Sequence, residues 1–219
     1  MKTLLINAHP DFNNPNHFSN QLQELFLAKY KSQFSENELT IFNLYDLDTS
    51  LPRIEQNQLL KIWNKKIADE KLSADELKIA QVSEQLLTQF KAHHRLVIVS
   101  PLHNFNITSR LKDYIDNILI ARETFRYLDS PDDKGKLSTG LMTNDYKALL
   151  LFASGSIYSD HEFYQNLDFA PQYLKMIFSE IMGFSDFEIV RAEGTAILPE
   201  NQILDLAKEN LDETFKKFY

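Results

Sequence analysis

Residues 96–116 read LVIVSPLHNFNITSRLKDYID, and they contain a pattern that recurs along the chain. The first four residues are apolar with no polar alternation, which is typical of a parallel strand buried on both faces. A polar loop follows, and then a predicted helix over residues 109–121. Strands that alternate with helices in this way predict βαβ units around a mainly parallel sheet.

The same alternation extends in both directions from this stretch. Apolar residues at helical spacing predict a first helix from Phe18 to Tyr30, and a capping box at 73–76 begins another helix that ends near Lys91. The remaining helices are predicted around Trp63 and over residues 109–121, 165–182 and 199–218. The predicted strands are residues 3–7, 39–43, 96–100, 148–153 and 187–192.

We therefore predict one domain, residues 1–219, with a flavodoxin-like α/β fold. Its core is a doubly wound, five-stranded parallel sheet of order 2-1-3-4-5, with helices on both faces. The second strand is polar enough to lie at an edge. Residues 124–127 alternate and residues 129–135 have turn chemistry, which predicts a loop or small hairpin that caps a site.

Composition excludes several classes of function. The chain has 219 residues, a net charge of -8 and no cysteine, so disulfides, thiolate nucleophiles and cysteine-ligated metals are excluded. An acidic chain argues against nucleic acid as a partner. No apolar run approaches 18 residues and the N-terminus has no signal-peptide pattern, so we expect a cytoplasmic protein that does not insert into membranes.

Other polar clusters carry little chemical signal. His93 and His94 are interpreted as a solvated helix end, and the lysines between 61 and 71 as a solvated helix face. Residues 160–162 (DHE) have no second paired motif, so no metal site is predicted. Residues 154–156 do not match G-x-S-x-G, which argues against a hydrolase.

Three polar loops follow the first, third and fourth predicted strands. The first contains His9 and His17 and enters a helix at Ser19, which suits an anion such as phosphate, although these residues also suit an ordinary helix cap. The second contains Asn104, whose amide matches the edge of a heteroaromatic ring, and Phe105, which alternatively seals the core. The third, residues 153–158, has small residues that let a planar ligand approach, or is a plain strand-to-loop transition. Together the three loops predict a nucleotide-like cofactor.

Local motifs add a resemblance that covers essentially the whole chain. Residues 101–107 (PLHNFNI) and 111–116 (LKDYID) are similar to the flavin-ring loop and helix of the FMN-dependent NADH azoreductases and NAD(P)H:quinone oxidoreductases. Residues 124–127 (TFRY), 192–194 (AEG) and 19–22 (SNQL) resemble further segments of that family. Three segments depart from it. His103 stands where the family usually has tyrosine, the slightly longer first loop has His9 and His17 in place of the usual serines, and residues 153–156 (ASGS) replace a more glycine-rich segment.

The resemblance implies specific roles for residues of the three loops. Those implied to contact the FMN phosphate are His9, His17, Phe18 and Ser19. Those implied to contact the isoalloxazine ring are Leu102, His103, Asn104, Phe105, Ala153, Ser154, Gly155 and Ser156. Phe105 and Tyr127 are candidate walls of the substrate pocket, and no residue is assigned as catalytic because the flavin carries the chemistry.

The activity implied by the resemblance is a two-electron, ping-pong reduction of quinones or azo compounds. NADH or NADPH is the electron donor, and the family works as a homodimer with sites at the subunit interface. Residues 8–10 (AHP) also resemble the FAD-using diaphorases, so FAD remains the alternative cofactor. A non-catalytic electron carrier or a regulatory nucleotide-binding subunit is the alternative function.

Overall fold

The computed structural model describes residues 1–160 and 162–219. The strands are β1 Thr3–Asn7, β2 Leu39–Asn43, β3 Arg95–Pro101, β4 Phe125–Tyr127, β5 Ser138–Gly140, β6 Lys147–Ser154 and β7 Asp186–Glu193. The α-helices are α1 Phe18–Gln33, α2 Leu59–Ile67, α3 Ala74–Lys91, α4 Ser109–Ile118, α5 Glu162–Gln165, α6 Phe169–Lys175 and α7 Glu200–Phe218. A 3₁₀ turn spans Glu36–Glu38 and a π-helical turn spans Met176–Ile181.

The five predicted strands form one parallel sheet in the order β2-β1-β3-β6-β7. This is the predicted order 2-1-3-4-5, because β4 and β5 lie outside the sheet. Central strands are buried on both faces, and the edge strand β2 is only half-buried, as its mixed sequence predicts. In such an order β2 and β3 lie on opposite sides of β1. The loops that follow β1 and β3 therefore diverge and leave a crevice.

Two apolar layers cover the sheet, one on each face. Leu5, Val97 and Leu149 are paired neighbours in register and pack with α1 and α7. The alternate positions Leu4 and Leu96 pack on the opposite face with α3, α4 and α6. Because side chains of a strand alternate between faces, an uninterrupted apolar run supplies both layers at once.

The predicted hairpin is confirmed as the antiparallel pair β4 and β5. It packs on the end of the π-helical turn, where Met142 N–H donates to the Met182 carbonyl oxygen at 2.9 Å. Gly140 allows this approach, since a Cβ at that position would lie 2.2 Å from the Met182 carbonyl carbon.

Two predicted helices have different bounds. The single helix expected over 165–182 is wrong, because the structure has α5, α6 and then the π-helical turn. Pro171 explains the new start: α6 begins at Phe169, which places the proline in the first turn, where its missing N–H breaks no helical hydrogen bond. Helix α4 ends at Ile118 rather than residue 121, because the Thr124 hydroxyl donates to the Ile118 carbonyl oxygen at 2.8 Å.

Residues at two surfaces that the sequence predicts to be solvated make contacts within the protein. His93 is buried, and its ring nitrogens lie 2.6 Å from the Gln89 carbonyl oxygen and 3.0 Å from the Thr40 hydroxyl. Lys61 and Lys65 both pair with the buried carboxylate of Glu76.

The Glu76 carboxylate also completes the predicted capping box of α3. The hydrogen bond from Lys65, followed by those from the Ser73 backbone and Lys61, lowers the pKa of Glu76 to about 2. Lys61 and Lys65 therefore connect α2 to α3, while Lys66 and Lys71 are exposed as predicted.

Candidate functional site

The three polar loops lie together at the carboxyl edge of the sheet. We call them the first loop (residues 8–17), the second loop (101–108) and the third loop (153–158). They surround a cavity of about 210 Å³ with the start of α1. The cavity is lined by His9, Asn16, His17, Phe18, Ser19, Pro101, Leu102, Ala153, Ser154, Gly155 and Thr195.

Ser19 carries the clearest sign of a missing ligand. Its side chain is 1% exposed, yet its hydroxyl has no hydrogen-bond partner among the described residues. Leaving a buried polar group unpaired costs about 1 to 3 kcal/mol, so proteins rarely leave one without a purpose. A hydroxyl on the wall of a cavity, lacking an acceptor, is what a bound anion would satisfy.

The first turn of α1 adds further donors beside Ser19. The backbone N–H groups of Phe18, Ser19 and Asn20 donate to no acceptor within residues 1–160 and 162–219, and His17 at the N-cap position makes no side-chain cap. An uncapped helix N-terminus combines free N–H groups with the positive end of the helix dipole. This arrangement favours an anion such as phosphate.

Two histidine rings stand at the mouth of this anion site. The rings of His9 and His17 stack with centroids 4.2 Å apart, and His17 Nε2 lies 2.9 Å from the Asp11 carboxylate. The Asp11 N–H donates to His9 Nδ1 at 3.0 Å, so neutral His9 carries its proton on Nε2. Burial, and then the neighbouring His17, lower the pKa of His9.

The second loop contains a strained turn. His103 and Asn106 exchange backbone hydrogen bonds of 2.9 and 3.0 Å around Asn104 and Phe105, whose φ angles are 48° and 61°. Positive φ at both central positions defines a type I′ turn, which is costly for a bulky residue such as Phe105. The N–H groups of Asn104 and Phe105 have no acceptor in the described chain, and Phe105 is 50% exposed. A core-sealing role for Phe105 is therefore wrong.

The third loop is held by the turn that follows β7. Thr195 N–H donates to the Ser154 carbonyl oxygen and Ala196 N–H to that of Gly155, each at 3.1 Å. The Ser154 hydroxyl donates to the Ser156 carbonyl oxygen at 2.9 Å. A Cβ on Gly155 would meet nothing nearer than 3.8 Å, so space is open beside this backbone for a flat ligand.

The structure brings most of the predicted site residues together, but not all. Those that do not line the cavity are His103, Asn104, Phe105 and Ser156, which belong to the same loops, and Tyr127. Tyr127 is 71% exposed and lines a separate, mainly apolar groove of about 940 Å³. That groove is lined by Trp63, Lys66, Ile67, Leu119, Ile120, Ala121, Arg122, Phe125 and Tyr127.

Sequence reasoning missed residues that shape the first loop from behind. Asn7 and Asn20 are buried and joined by a 3.1 Å hydrogen bond, and Thr108 donates to the Ala8 carbonyl oxygen at 3.1 Å. The signal available in the sequence was a polar residue at the end of an otherwise apolar strand. Thr195, which lines the cavity, lies just beyond the AEG segment and was also missed.

Among the described residues, no group of three or more His, Cys, Asp or Glu side chains could hold a metal ion. His161, the centre of the DHE segment, lies outside the described residues. Within the same described ranges, no helix is long and apolar enough to cross a membrane.

Comparison with known proteins places this geometry in a family. A family model described as a flavodoxin-like fold matches residues 1–215. The chain belongs to this flavodoxin-like family. A relative from Streptococcus agalactiae serotype III (strain NEM316), named FMN-dependent NADH:quinone oxidoreductase, is 48% identical over 219 residues, covering 100% of this chain and 99% of that protein. A relative from Lactiplantibacillus plantarum, FMN-dependent NADH:quinone oxidoreductase 1, is also 48% identical, with the same coverage.

A solved structure supports the same family assignment. The FMN-dependent NADH-azoreductase from Bacillus anthracis strain Ames Ancestor, solved in complex with FMN, is 39% identical to this chain. It superposes with a TM-score of 0.89, covering 99% of this chain and 98% of that one. The resemblance to the azoreductases and quinone oxidoreductases is therefore confirmed, as is the predicted fold.

Proposed function

We propose that this chain is an FMN-dependent NADH:quinone oxidoreductase that also reduces azo compounds. The observation that carries the proposal is the buried, unpaired hydroxyl of Ser19 beside the free N–H groups of α1, on a cavity formed by the three loops. Relatives at 48% identity with this name support it, and they favour a reductase over an electron carrier or a regulatory subunit. Residues 1–219 form one domain with this activity.

The chemistry that FMN supplies when bound is hydride transfer from NADH to a quinone or azo acceptor. Ser19 Oγ and the N–H groups of Phe18 and Ser19 hold its phosphate as hydrogen-bond donors. His9 adds the Nε2 proton, and His17 stacks against it. The phosphate is therefore met by hydrogen-bond donors and a helix dipole in a chain that is acidic overall.

The second and third loops hold the isoalloxazine ring. Asn104 offers both a donor and an acceptor on its amide, and the turn leaves its backbone N–H free. Leu102, His103 and Phe105 complete the second-loop side of the ring site. Residues 153–156 complete the third-loop side, where Gly155 leaves the backbone open to a planar group. The backbone N–H groups of the strained turn would donate to a bound ring and would favour negative charge on it without reorganising.

We further propose that the protein is a cytoplasmic homodimer. The groove that contains Tyr127 is mostly apolar, and Ile67 on its wall is 85% exposed. Large exposed apolar surfaces of this kind mark protein interaction sites. A second copy that covers the groove would place Tyr127 at the subunit interface, where it could line the substrate pocket.

One preparation tests these proposals together. The purified protein should be yellow, and heat should release FMN, identified by chromatography; FAD would instead indicate a diaphorase. Steady oxidation of NADH in the presence of menadione should follow, and failure to turn over with FMN bound would contradict the enzymatic function. Sedimentation equilibrium of the same sample separates a 25.5 kDa monomer from a dimer.

The FMN affinity should rise as the pH falls from 8 to 6.5. In the free chain the pKa of His9 is lowered, so His9 is neutral; a bound phosphate favours its protonated form and raises that pKa again. Binding then takes up a proton, and the affinity changes by at most about tenfold per pH unit between the two pKa values. The other titratable groups around this ring are His17, Asp11 and the bound phosphate, whose second pKa of about 6 lies below this pH range.

The measurement is FMN titration by fluorescence quenching at several pH values. The test variant is His9→Asn, and the wild-type chain is its reference. The asparagine oxygen can still accept from the Asp11 N–H, while the Nε2 donor is lost. The variant should show a flatter profile than the wild-type chain. Identical profiles would remove His9 from the phosphate site.

Replacing Asn104 by glycine should lower the FMN affinity without harming the fold. Glycine adopts positive φ readily, so the type I′ turn persists while the amide is lost. We expect an affinity loss of about three- to tenfold, typical of one hydrogen bond between neutral groups. Fluorescence titration and thermal unfolding measure the two effects. An unchanged affinity would show that the amide does not touch the ring.

A further inference from the structure

Asn7, the last residue of β1, joins the strand to α1 and to the first loop through hydrogen bonds of its side-chain amide. It is fully buried. Its Nδ2 donates to Asn20 Oδ1 at 3.1 Å and to Gln23 Oε1 at 2.9 Å, and its Oδ1 accepts from the His9 N–H at 2.8 Å. Three hydrogen bonds from one buried amide fix the point where the first loop leaves the sheet.

Asn20 continues the same network into the first loop. Its side chain is 4% exposed and lies in the first turn of α1. Its Nδ2 donates to the carbonyl oxygens of Asp11 at 3.0 Å and Asn14 at 2.7 Å, while its Oδ1 accepts from Asn7. Every hydrogen-bonding direction of this amide except one lone pair is therefore used within the protein.

The two hydrogen bonds from Asn20 Nδ2 hold the first loop against the start of α1. The first loop has no regular secondary structure between β1 and α1, and Asn20 ties two points of it to the turn that presents Ser19. Without the Asn20 N–H groups, the carbonyl oxygens of Asp11 and Asn14 would keep only the longer hydrogen bonds from the Asn14 N–H at 3.2 Å and the His17 N–H at 3.4 Å. A loop held by fewer and longer hydrogen bonds fixes the approach to Ser19 less firmly.

We infer that the side chain of Asn20 positions the site of the cofactor phosphate, acting through the first loop and not through contact with the ligand. The inference rests on the proposed function, since it assumes that FMN binds at Ser19. On this inference, the buried Asn7–Asn20 pair contributes to the selectivity of the cavity for a phosphorylated flavin over riboflavin. Neither residue lines the cavity.

The test compares FMN with riboflavin, which lacks only the phosphate. Asn20→Ser removes both amide donors to the loop carbonyls and adds no charge, whereas an aspartate would itself repel the phosphate. We expect this variant to lose about tenfold or more in FMN affinity, with riboflavin affinity changed less than threefold. A residue that is merely structural would lower both affinities by the same factor.

Gln23→Met is the matched control. It removes the other acceptor of Asn7 on the same helix, but Gln23 makes no contact with the Asp11 and Asn14 carbonyls. It should leave the FMN-to-riboflavin affinity ratio at the wild-type value. If Asn20→Ser does not fold, as judged by circular dichroism, Asn20→Thr replaces it, because it is also neutral and its methyl group fills more of the space that the amide leaves.

The outcomes separate the inference from the proposed function. Wild-type preference for FMN over riboflavin, retained in the Asn20 variant, overturns the inference alone. Equal losses of both affinities also overturn it. A wild-type chain that binds neither flavin contradicts the proposed function together with the inference.

Discussion

The Ser19→Ala variant is expected to bind FMN about ten- to a hundredfold more weakly than the wild-type chain. A hydrogen bond to a charged group contributes about 1.5 to 3 kcal/mol, and each 1.4 kcal/mol is a factor of ten in affinity. The hydroxyl that is removed is buried and has no partner in the described chain. The free protein therefore loses no hydrogen bond on substitution.

This predicts opposite effects on binding and on stability. The melting temperature of the flavin-free variant should equal or exceed that of the wild type, because the substitution removes an unpaired buried hydroxyl and leaves the methyl group of alanine. Ser32→Ala on the last turn of α1 is the matched control, since Ser32 is exposed and bonds only to the Lys29 carbonyl oxygen. Fluorescence titration and differential scanning calorimetry give both quantities. Wild-type affinity in the Ser19 variant would place the phosphate elsewhere.

Replacing Gly140 by alanine is expected to destabilise the protein by about 3 kcal/mol. The new Cβ would lie 2.2 Å from the Met182 carbonyl carbon and 2.4 Å from the Gly183 nitrogen. These atoms are backbone, so either β5 or the end of the π-helical turn must move, and overpacking of this kind costs about 1 to 3 kcal/mol or more. For a chain of this size the melting temperature should fall by about 6 to 12 °C.

The same substitution has a predicted effect on activity. Gly140 is paired with Phe125 in the hairpin that carries Tyr127, so displacement of β5 moves a proposed wall of the substrate pocket. We expect a higher KM for menadione with the FMN affinity little changed. Gly155→Ala is the stability control, because a Cβ there meets nothing closer than 3.8 Å. Equal melting temperatures for the two variants would show that the hairpin yields at little cost.

The departures from the predicted helices show where sequence reasoning stops. Periodicity over 165–182 is compatible with one helix, but the chain breaks between Gln165 and Phe169, and Pro171 falls in the first turn of the helix that restarts there. His93 appears solvated in the sequence because nothing local reveals Thr40, which lies on a neighbouring edge strand. Contacts between residues distant in sequence are invisible to patterns that span a few turns.

The sequence by itself determined the strand order, the two-layer core and the three loops at the carboxyl edge. It did so because apolar runs such as 96–99 must be buried on both faces, and polar residues that follow such strands collect at one edge. Only the tertiary structure decided which donors are free. The missing partner of Ser19, the positive φ of Phe105 and the Asn7–Asn20 pair depend on how loops pack against one another. Whether a buried polar group is satisfied is a property of its surroundings in space, not of its neighbours along the chain.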